Sequence, residues 1–156
     1  MARAGSGRDL TIHRAEHSLE IPAAPQACFE AIVDYETFPE WQDAVKRVEV
    51  ISRNLDGLGE VVAFRIDARF REVGYRLRYH YERPSRVWWD FVSGDGVEHV
   101  EGEFRFEPTA NGTLATYALG IDPGMPVPGL VMRRLNQQVL KGSINDLRDE
   151  VERRAA

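Results

Sequence analysis

Residues 130–151 read LVMRRLNQQVLKGSINDLRDEV, in which Leu130, Val131, Leu135, Val139, Leu140, Ile144, Leu147 and Val151 recur at helical spacing over about six turns. Arg133, Gln137, Lys141, Asp149 and Arg153 fall opposite and should meet solvent. The segment is one long amphipathic helix whose apolar stripe needs a partner surface. Ahead of it, Asp122-Pro123-Gly124-Met125-Pro126-Val127-Pro128-Gly129 is a proline and glycine hinge that ends all strand character.

The partner surface is supplied by the stretches before the hinge, where the period is two. From Gly59 to Phe70, Val62, Phe64, Ile66, Ala68 and Phe70 alternate with Arg65, Asp67 and Arg69. Val73, Tyr75, Leu77, Tyr79 and Tyr81 then alternate with Arg76, Arg78, His80 and Glu82. Such alternation predicts strands with one wet and one buried face. Val45, Val48, Val50 and Ile51 mark an earlier strand, and Val87 to Val92, carrying Trp88 and Trp89, one covered partly on both sides. Val100, Gly102, Phe104 and Phe106 form the next, and Ala115, Tyr117, Leu119 and Ile121 the last. Short turns such as Asn54-Leu55-Asp56-Gly57 and Ser93-Gly94-Asp95-Gly96 join them into an antiparallel meander. Before the meander, His13 to Ile21 suits a strand, and Pro25 to Val33 a short helix. Phe38-Pro39-Glu40-Trp41 adds one more helical turn, so the two pieces form an elbow.

These elements predict an α+β domain: a curved antiparallel sheet wrapped around a long C-terminal helix, with two short helices after the first strand. Residues 11–156 form this single domain, and residues 1–10 read as a flexible N-terminal tail. A helix about 10 Å across does not fill the concavity of a twisted meander of this width, so a cavity is expected. Its inward face is aromatic, and three tyrosines at alternating positions of one strand are hard to satisfy in a dry core. A partly hydrated ligand cavity satisfies them. The expected lining is Trp41, Phe64, Ile66, Tyr75, Tyr79, Tyr81, Trp89, Phe104, Tyr117, Met125, Leu130 and Arg134. Arg134 has two readings, a guanidinium at the cavity mouth or an exposed side chain snorkelling along the helix.

The 156 residues are 43% apolar, enough to bury a core, and the net charge of -5 argues against DNA as a partner. The one cysteine, Cys28, reads as a buried filler and fits a reducing, cytoplasmic compartment. No run suggests a membrane span. His13 and His17 are four apart, about 13 Å on a strand, too far for one metal ion, and are taken as surface residues. No phosphate loop or nucleophile elbow appears, and no metal or cofactor is expected. Arg65, Arg69, Arg71, Arg76 and Arg78 line one sheet face, but Glu101, Glu103 and Glu107 offer opposite charge, which favours a solvated mixed surface over a ribosome-binding one.

The opening Ile21-Pro22-Ala23-Ala24-Pro25-Gln26-Ala27-Cys28-Phe29, the elbow Tyr35-Glu36-Thr37-Phe38-Pro39-Glu40-Trp41, the strand Gly102-Glu103-Phe104-Arg105-Phe106-Glu107-Pro108 and the lead Pro126-Val127-Pro128-Gly129 together resemble the START-like or Bet v 1-like (SRPBCC) superfamily, in its polyketide cyclase/dehydrase and coenzyme Q-binding branch. The resemblance covers nearly the whole chain. It implies a helix-grip fold and a hydrophobic small-molecule ligand: a lipid, an isoprenoid quinone or a polyketide. It does not imply catalysis, because binders and cyclases share the fold. A polyketide aromatase/cyclase, in which Tyr75, Tyr79 or Arg134 polarises a carbonyl, and a ribosome- or respiratory-chain-associated module are the alternatives.

Overall fold

The alternating stretches are strands in a computed structural model of the chain, which describes residues 12–68 and 71–156. In chain order the elements are β1 (His13–Ile21), α1 (Pro25–Ile32), a 3-10 turn (Tyr35–Thr37), α2 (Phe38–Trp41), β2 (Val45–Arg53), β3 (Gly59–Asp67), β4 (Glu72–Glu82), β5 (Arg86–Asp95), β6 (His99–Thr109), β7 (Gly112–Asp122) and α3 (Gly129–Ala155). The sheet runs β1-β7-β6-β5-β4-β3-β2, antiparallel throughout. Strands β2 to β7 are the predicted meander, and β1 closes beside β7.

Two boundary expectations change. β3 ends at Asp67, and the Ala68 N–H donates to the Arg71 carbonyl at 2.9 Å across the turn. The expected strand residues Arg69 and Phe70, and the expected tail at 1–10, lie outside the described residues. The uneven spacing of Val45, Val48 and Val50 has a physical cause. These residues pair with Ile66, Phe64 and Val62, which keep strict period two, because β2 has a bulge between Val45 and Arg47.

The C-terminal half of α3 buries Leu140, Ile144, Leu147 and Val151 in one core with Ile21, Phe29 and Phe106. Each such side chain stabilises the fold by about 1.5–3 kcal/mol relative to exposure. The helix packs against β1, β7 and α1, and touches α2. Its first turns depart from the predicted stripe. Met132 and Asn136 are the buried residues there, whereas Leu130 is 60% and Val131 45% exposed. Asn136 supplies the reason, since its Nδ2 donates to the His13 carbonyl at 2.9 Å and turns that polar position toward β1. At the other end, buried Glu150 accepts from Arg153 and Arg154, whose hydrogen bonds hold its carboxyl below the usual range. Arg154 also reaches Asp34 Oδ2 at 3.0 Å, tying the helix end to the elbow.

The outer sheet face carries a ladder of ion pairs. Arg65 meets Glu72 and Asp95, Arg78 meets Glu60, Arg14 meets Glu101, and Glu103 lies between Arg86 and Arg105. Exposed pairs of this kind add little stability, and they offset the charge of the arginine face.

Candidate ligand-binding site

The geometry of the grip leaves the middle strands uncovered. Because α3 lies along β1 and β7 while α2 sits over β2, the inner faces of β3 to β6 look into the space between. Alternation places Phe64 and Ile66 of β3, Tyr75 and Tyr79 of β4, Trp89 of β5 and Phe104 of β6 on that face, with Tyr117 of β7 beside them. The rings form a continuous wall. Phe64 meets Tyr75 at 5.6 Å, Tyr79 meets Trp89 at 5.5 Å, and Trp89 meets Phe104 at 6.1 Å and Tyr117 at 6.0 Å between centroids. Phe104 and Tyr117, paired across the strands, stack at 4.3 Å.

The wall's polar atoms are unusual. Among the described residues, the hydroxyls of Tyr75, Tyr79 and Tyr117 find no hydrogen-bond partner, nor does the buried Trp89 Nε1. Burial pushes all three phenols well above the ordinary tyrosine range, and mutual repulsion adds to it, Tyr75 acting on both Tyr79 and Tyr117. All three side chains lie on the concave face of the sheet. Tyr75 and Tyr117 are only half-buried although both lie there, so the gap is open. Leaving a buried donor unpaired costs about 1–3 kcal/mol, so Trp89 Nε1 is an expensive position in the packed wall.

On α3, Met132, Leu135, Val139 and Asp146 share one face by i, i+3 and i+4 spacing. Asp146 ends this stripe near Asp43, just past the elbow. Val139 is 44% exposed and Leu135 half-buried. Burial, with the nearby Asp43 and Asp149 carboxylates, pushes Asp146 up to about 6.

Several expected lining residues lie elsewhere. Tyr81 is tethered away from the gap: its hydroxyl donates to the Gly59 carbonyl at 2.6 Å and accepts from Tyr35 at 2.7 Å. Trp41 is half-buried at the elbow, with Nε1 donating to Thr37 Oγ1 at 3.0 Å and its ring against Phe38. Met125 and Leu130 are largely exposed, and Arg134 is exposed without an ion pair among the described residues. Leu130 and Arg134 lie in the turns of α3 whose buried residues are Met132 and Asn136.

The histidines also need correction. His13 and His17 sit half-buried on the inner face of β1, and His17 is the cross-strand partner of Tyr117. The regular alternation of Ala15, Leu19 and Ile21 was the signal for that placement. Cys28 is fully buried as expected, and burial pushes its thiol up despite a hydrogen bond with Thr113. Among the described residues no group of three or more metal-ligating side chains assembles.

At the open end of the gap, past Trp89, a cleft of about 300 Å³ is lined by Phe91, Val97, Glu98, Pro123, Gly124 and Arg71. Arg71 Nη2 donates to the Gly96 carbonyl at 2.5 Å and the Pro123 carbonyl at 3.1 Å, strapping the β5–β6 turn to the hinge. This cleft contains none of the twelve residues expected from the sequence. A second, broader depression of about 640 Å³ by the β2–β3 turn shares with them only Tyr79 and Tyr81.

The sequence profile of a family described as polyketide cyclase / dehydrase and lipid transport matches residues 13–152. No curated protein matches the chain. Among solved structures, a START superfamily protein from Mycobacterium smegmatis is similar at TM-score 0.84 and 20% identity, covering 90% of this chain and 98% of its own. The Zhui aromatase/cyclase from Streptomyces sp. R1128 is similar at TM-score 0.80 and 15% identity, covering 93% and 96%. A STAR-related lipid transfer protein from Xanthomonas axonopodis gives TM-score 0.71 at 17% identity, covering 89% and 85%. At these identities the likeness establishes the helix-grip fold. No helix among the described residues is long and apolar enough to cross a membrane.

Proposed function

The chain belongs to the polyketide cyclase / dehydrase and lipid transport family, and we propose that it binds or carries a bulky hydrophobic small molecule in the gap between the inner sheet face and α3. The observation that carries this reading is the continuous wall of aromatic rings on the concave face, along which Tyr75 and Tyr117 remain only half-buried. The residues assigned to the ligand are Phe64, Ile66, Tyr75, Tyr79, Trp89, Phe104 and Tyr117, joined by Leu135 and Val139 from the helix. Apolar walls bury the body of a ligand, and a few fixed hydroxyls orient it.

For cyclisation, the second reading, the ionisable groups of the concave face are Tyr75, Tyr79, Tyr117 and, opposite Tyr117 on β1, His17. A general base works best with a pKa near the working pH. Here the phenols are pushed upward, so at neutral pH they offer hydrogen bonds and hold their protons. Arg134, one of the groups expected to polarise a carbonyl, points to solvent.

The test is a titration with a solvatochromic naphthalene dye, followed by displacement with an apolar library of lipids, isoprenoid quinones and polycyclic ketones. Saturable dye binding displaced by at least one class supports the reading. No displaceable binding sinks it.

A further inference from the structure

In a chain of net charge -5, residues 123–145 contain no aspartate or glutamate, and they carry Arg133, Arg134 and Lys141. The stretch spans the hinge and the first turns of α3. Its apolar side chains face outward to an unusual degree: Met125 is 40%, Leu130 60% and Val131 45% exposed. Met132, Asn136 and Leu140 turn the other way, into the fold, so helical spacing gathers Leu130, Val131, Arg134 and Lys141 on the outer face of the helix. Outside its own segment, no atom lies within 4 Å of a Cβ built on Gly129, which leaves the tip of the hinge uncovered.

The cations here differ from those of the sheet. Arg14, Arg65, Arg78, Arg86 and Arg105 are each held by a carboxylate, whereas Arg133, Arg134 and Lys141 have no ion pair among the described residues. Exposed apolar side chains gain by leaving water, and unpaired cations gain from a negative surface. The interface of an anionic bilayer satisfies both at once, since apolar groups enter the acyl boundary while arginine and lysine reach the headgroups. A protein partner fits less well, because the centre of such an interface is built on aromatic anchors and residues 123–145 contain no Phe, Tyr or Trp.

We infer that the hinge and the outer face of the first turns of α3 dock reversibly on an anionic lipid membrane. Met125, Leu130 and Val131 enter the interface, and Arg133, Arg134 and Lys141 meet the lipid phosphates. This surface is separate from the aromatic wall, and the inference does not rest on the binding reading above. Pro123 and Gly124 also line the cleft at the open end of the gap, so docking brings that end to the bilayer.

Flotation with vesicles of phosphatidylcholine, alone or mixed with phosphatidylglycerol, tests this. The native chain should bind the anionic vesicles at least about 10-fold more tightly than the neutral ones, and high salt should remove most of that preference. Arg133→Gln with Arg134→Gln should weaken anionic binding about 10-fold, and Leu130→Ser with Val131→Ser by a similar factor, about 10-fold. Arg47→Gln with Arg76→Gln removes the same charge from exposed positions of β2 and β4 and should stay within about 2-fold. Near-ultraviolet circular dichroism and the naphthalene dye titration check that each variant keeps its fold. A second readout fixes the orientation: an environment-sensitive fluorophore on Val131→Cys should shift to the blue on anionic vesicles, and one on Leu55→Cys, on the β2–β3 turn, should not. Cys28 is fully buried and is spared by the label. No preference for anionic vesicles, an equal loss in the Arg47 and Arg76 pair, full binding by the Leu130 and Val131 pair, or a blue shift at position 55 alone overturns the assignment. So does a dimer that Leu130→Ser with Val131→Ser dissolves, which makes the face a contact between copies. If vesicle binding fails while the dye still binds, the docking surface falls and the pocket stands.

Discussion

The Tyr35 hydroxyl donates to the Tyr81 hydroxyl at 2.7 Å, and the Tyr81 hydroxyl in turn donates to the Gly59 carbonyl at 2.6 Å. Tyr79, two residues earlier on the same face of β4, has no such partner among the described residues. One strand therefore carries a structural tyrosine and an unpartnered one, and the difference is the elbow, which brings Tyr35 to Tyr81 while its ring packs on Tyr79 at 4.6 Å.

Tyr81→Phe strands both the Gly59 carbonyl and the Tyr35 hydroxyl, and should cost about 1–3 kcal/mol in urea unfolding. Tyr35→Phe leaves the Tyr81 to Gly59 bond in place and should cost less, about 0.5–1.5 kcal/mol. Neither should weaken dye binding beyond the effect of lost stability. A larger loss of affinity in Tyr81→Phe than in Tyr79→Phe would contradict this division of labour.

All five tyrosines of the chain, Tyr35, Tyr75, Tyr79, Tyr81 and Tyr117, have values raised by burial, with Tyr81 pushed up to about 12. The unfolded value is about 10. The folded chain thus holds more protons above pH 10, so stability is fully present below that pH and is lost as pH rises toward the folded values. Tyrosinate absorbance near 295 nm should stay flat past pH 10 in the native chain and appear together with the loss of near-ultraviolet circular dichroism. Independent titration of two or more tyrosines before unfolding would contradict it.

Asp146 is raised to about 6 by burial first and by Asp43 and Asp149 next. Its folded value exceeds the unfolded value of about 4, so stability falls as pH rises between the two and is level above. Asp146→Asn keeps the shape of the side chain and removes the charge that burial and the Asp43 and Asp149 carboxylates disfavour. It should be no more stable than the native chain at pH 4 and gain stability by pH 7, by less than about 1 kcal/mol since water screens the site. Thermal unfolding at the two pH values checks the widening gap.

Gly102→Ala places a Cβ 2.5 Å from the Ala118 carbonyl and 2.6 Å from Trp89 Cζ2. The backbone carbonyl cannot give way, and the indole is packed among Tyr79, Phe104 and Tyr117, so the substitution should cost about 1–3 kcal/mol and alter tryptophan emission. Unchanged emission with native stability would show that Trp89 does not lie against β6.

Period-two alternation made the meander legible, and the apolar stripe made the terminal helix legible. The chain was less readable where a position serves two purposes. Asn136 occupies a buried helix position as a polar residue because it reaches the His13 carbonyl, a contact 123 residues distant. That bond faces Asn136 toward β1 in the same turns of α3 that leave Leu130 and Arg134 exposed. Tyr81 carries the same alternation signal as Tyr79, and only the folded elbow distinguishes them. For Trp89 the readable signal was its place on the inner face; its unpaired nitrogen is a property of the packed rings. The bulge in β2 was visible as a broken spacing, at Val45, Val48 and Val50, without its cause.

The most direct test of ligand binding in the gap is a methyl-resolved NMR titration of isotope-labelled chain with 2-acetylnaphthalene. The account predicts saturable, one-to-one shifts concentrated at the methyl groups of Ile66, Leu135 and Val139. Shifts confined to outer-face or β2–β3 turn residues such as Leu55, or no saturable shift at all, would contradict it.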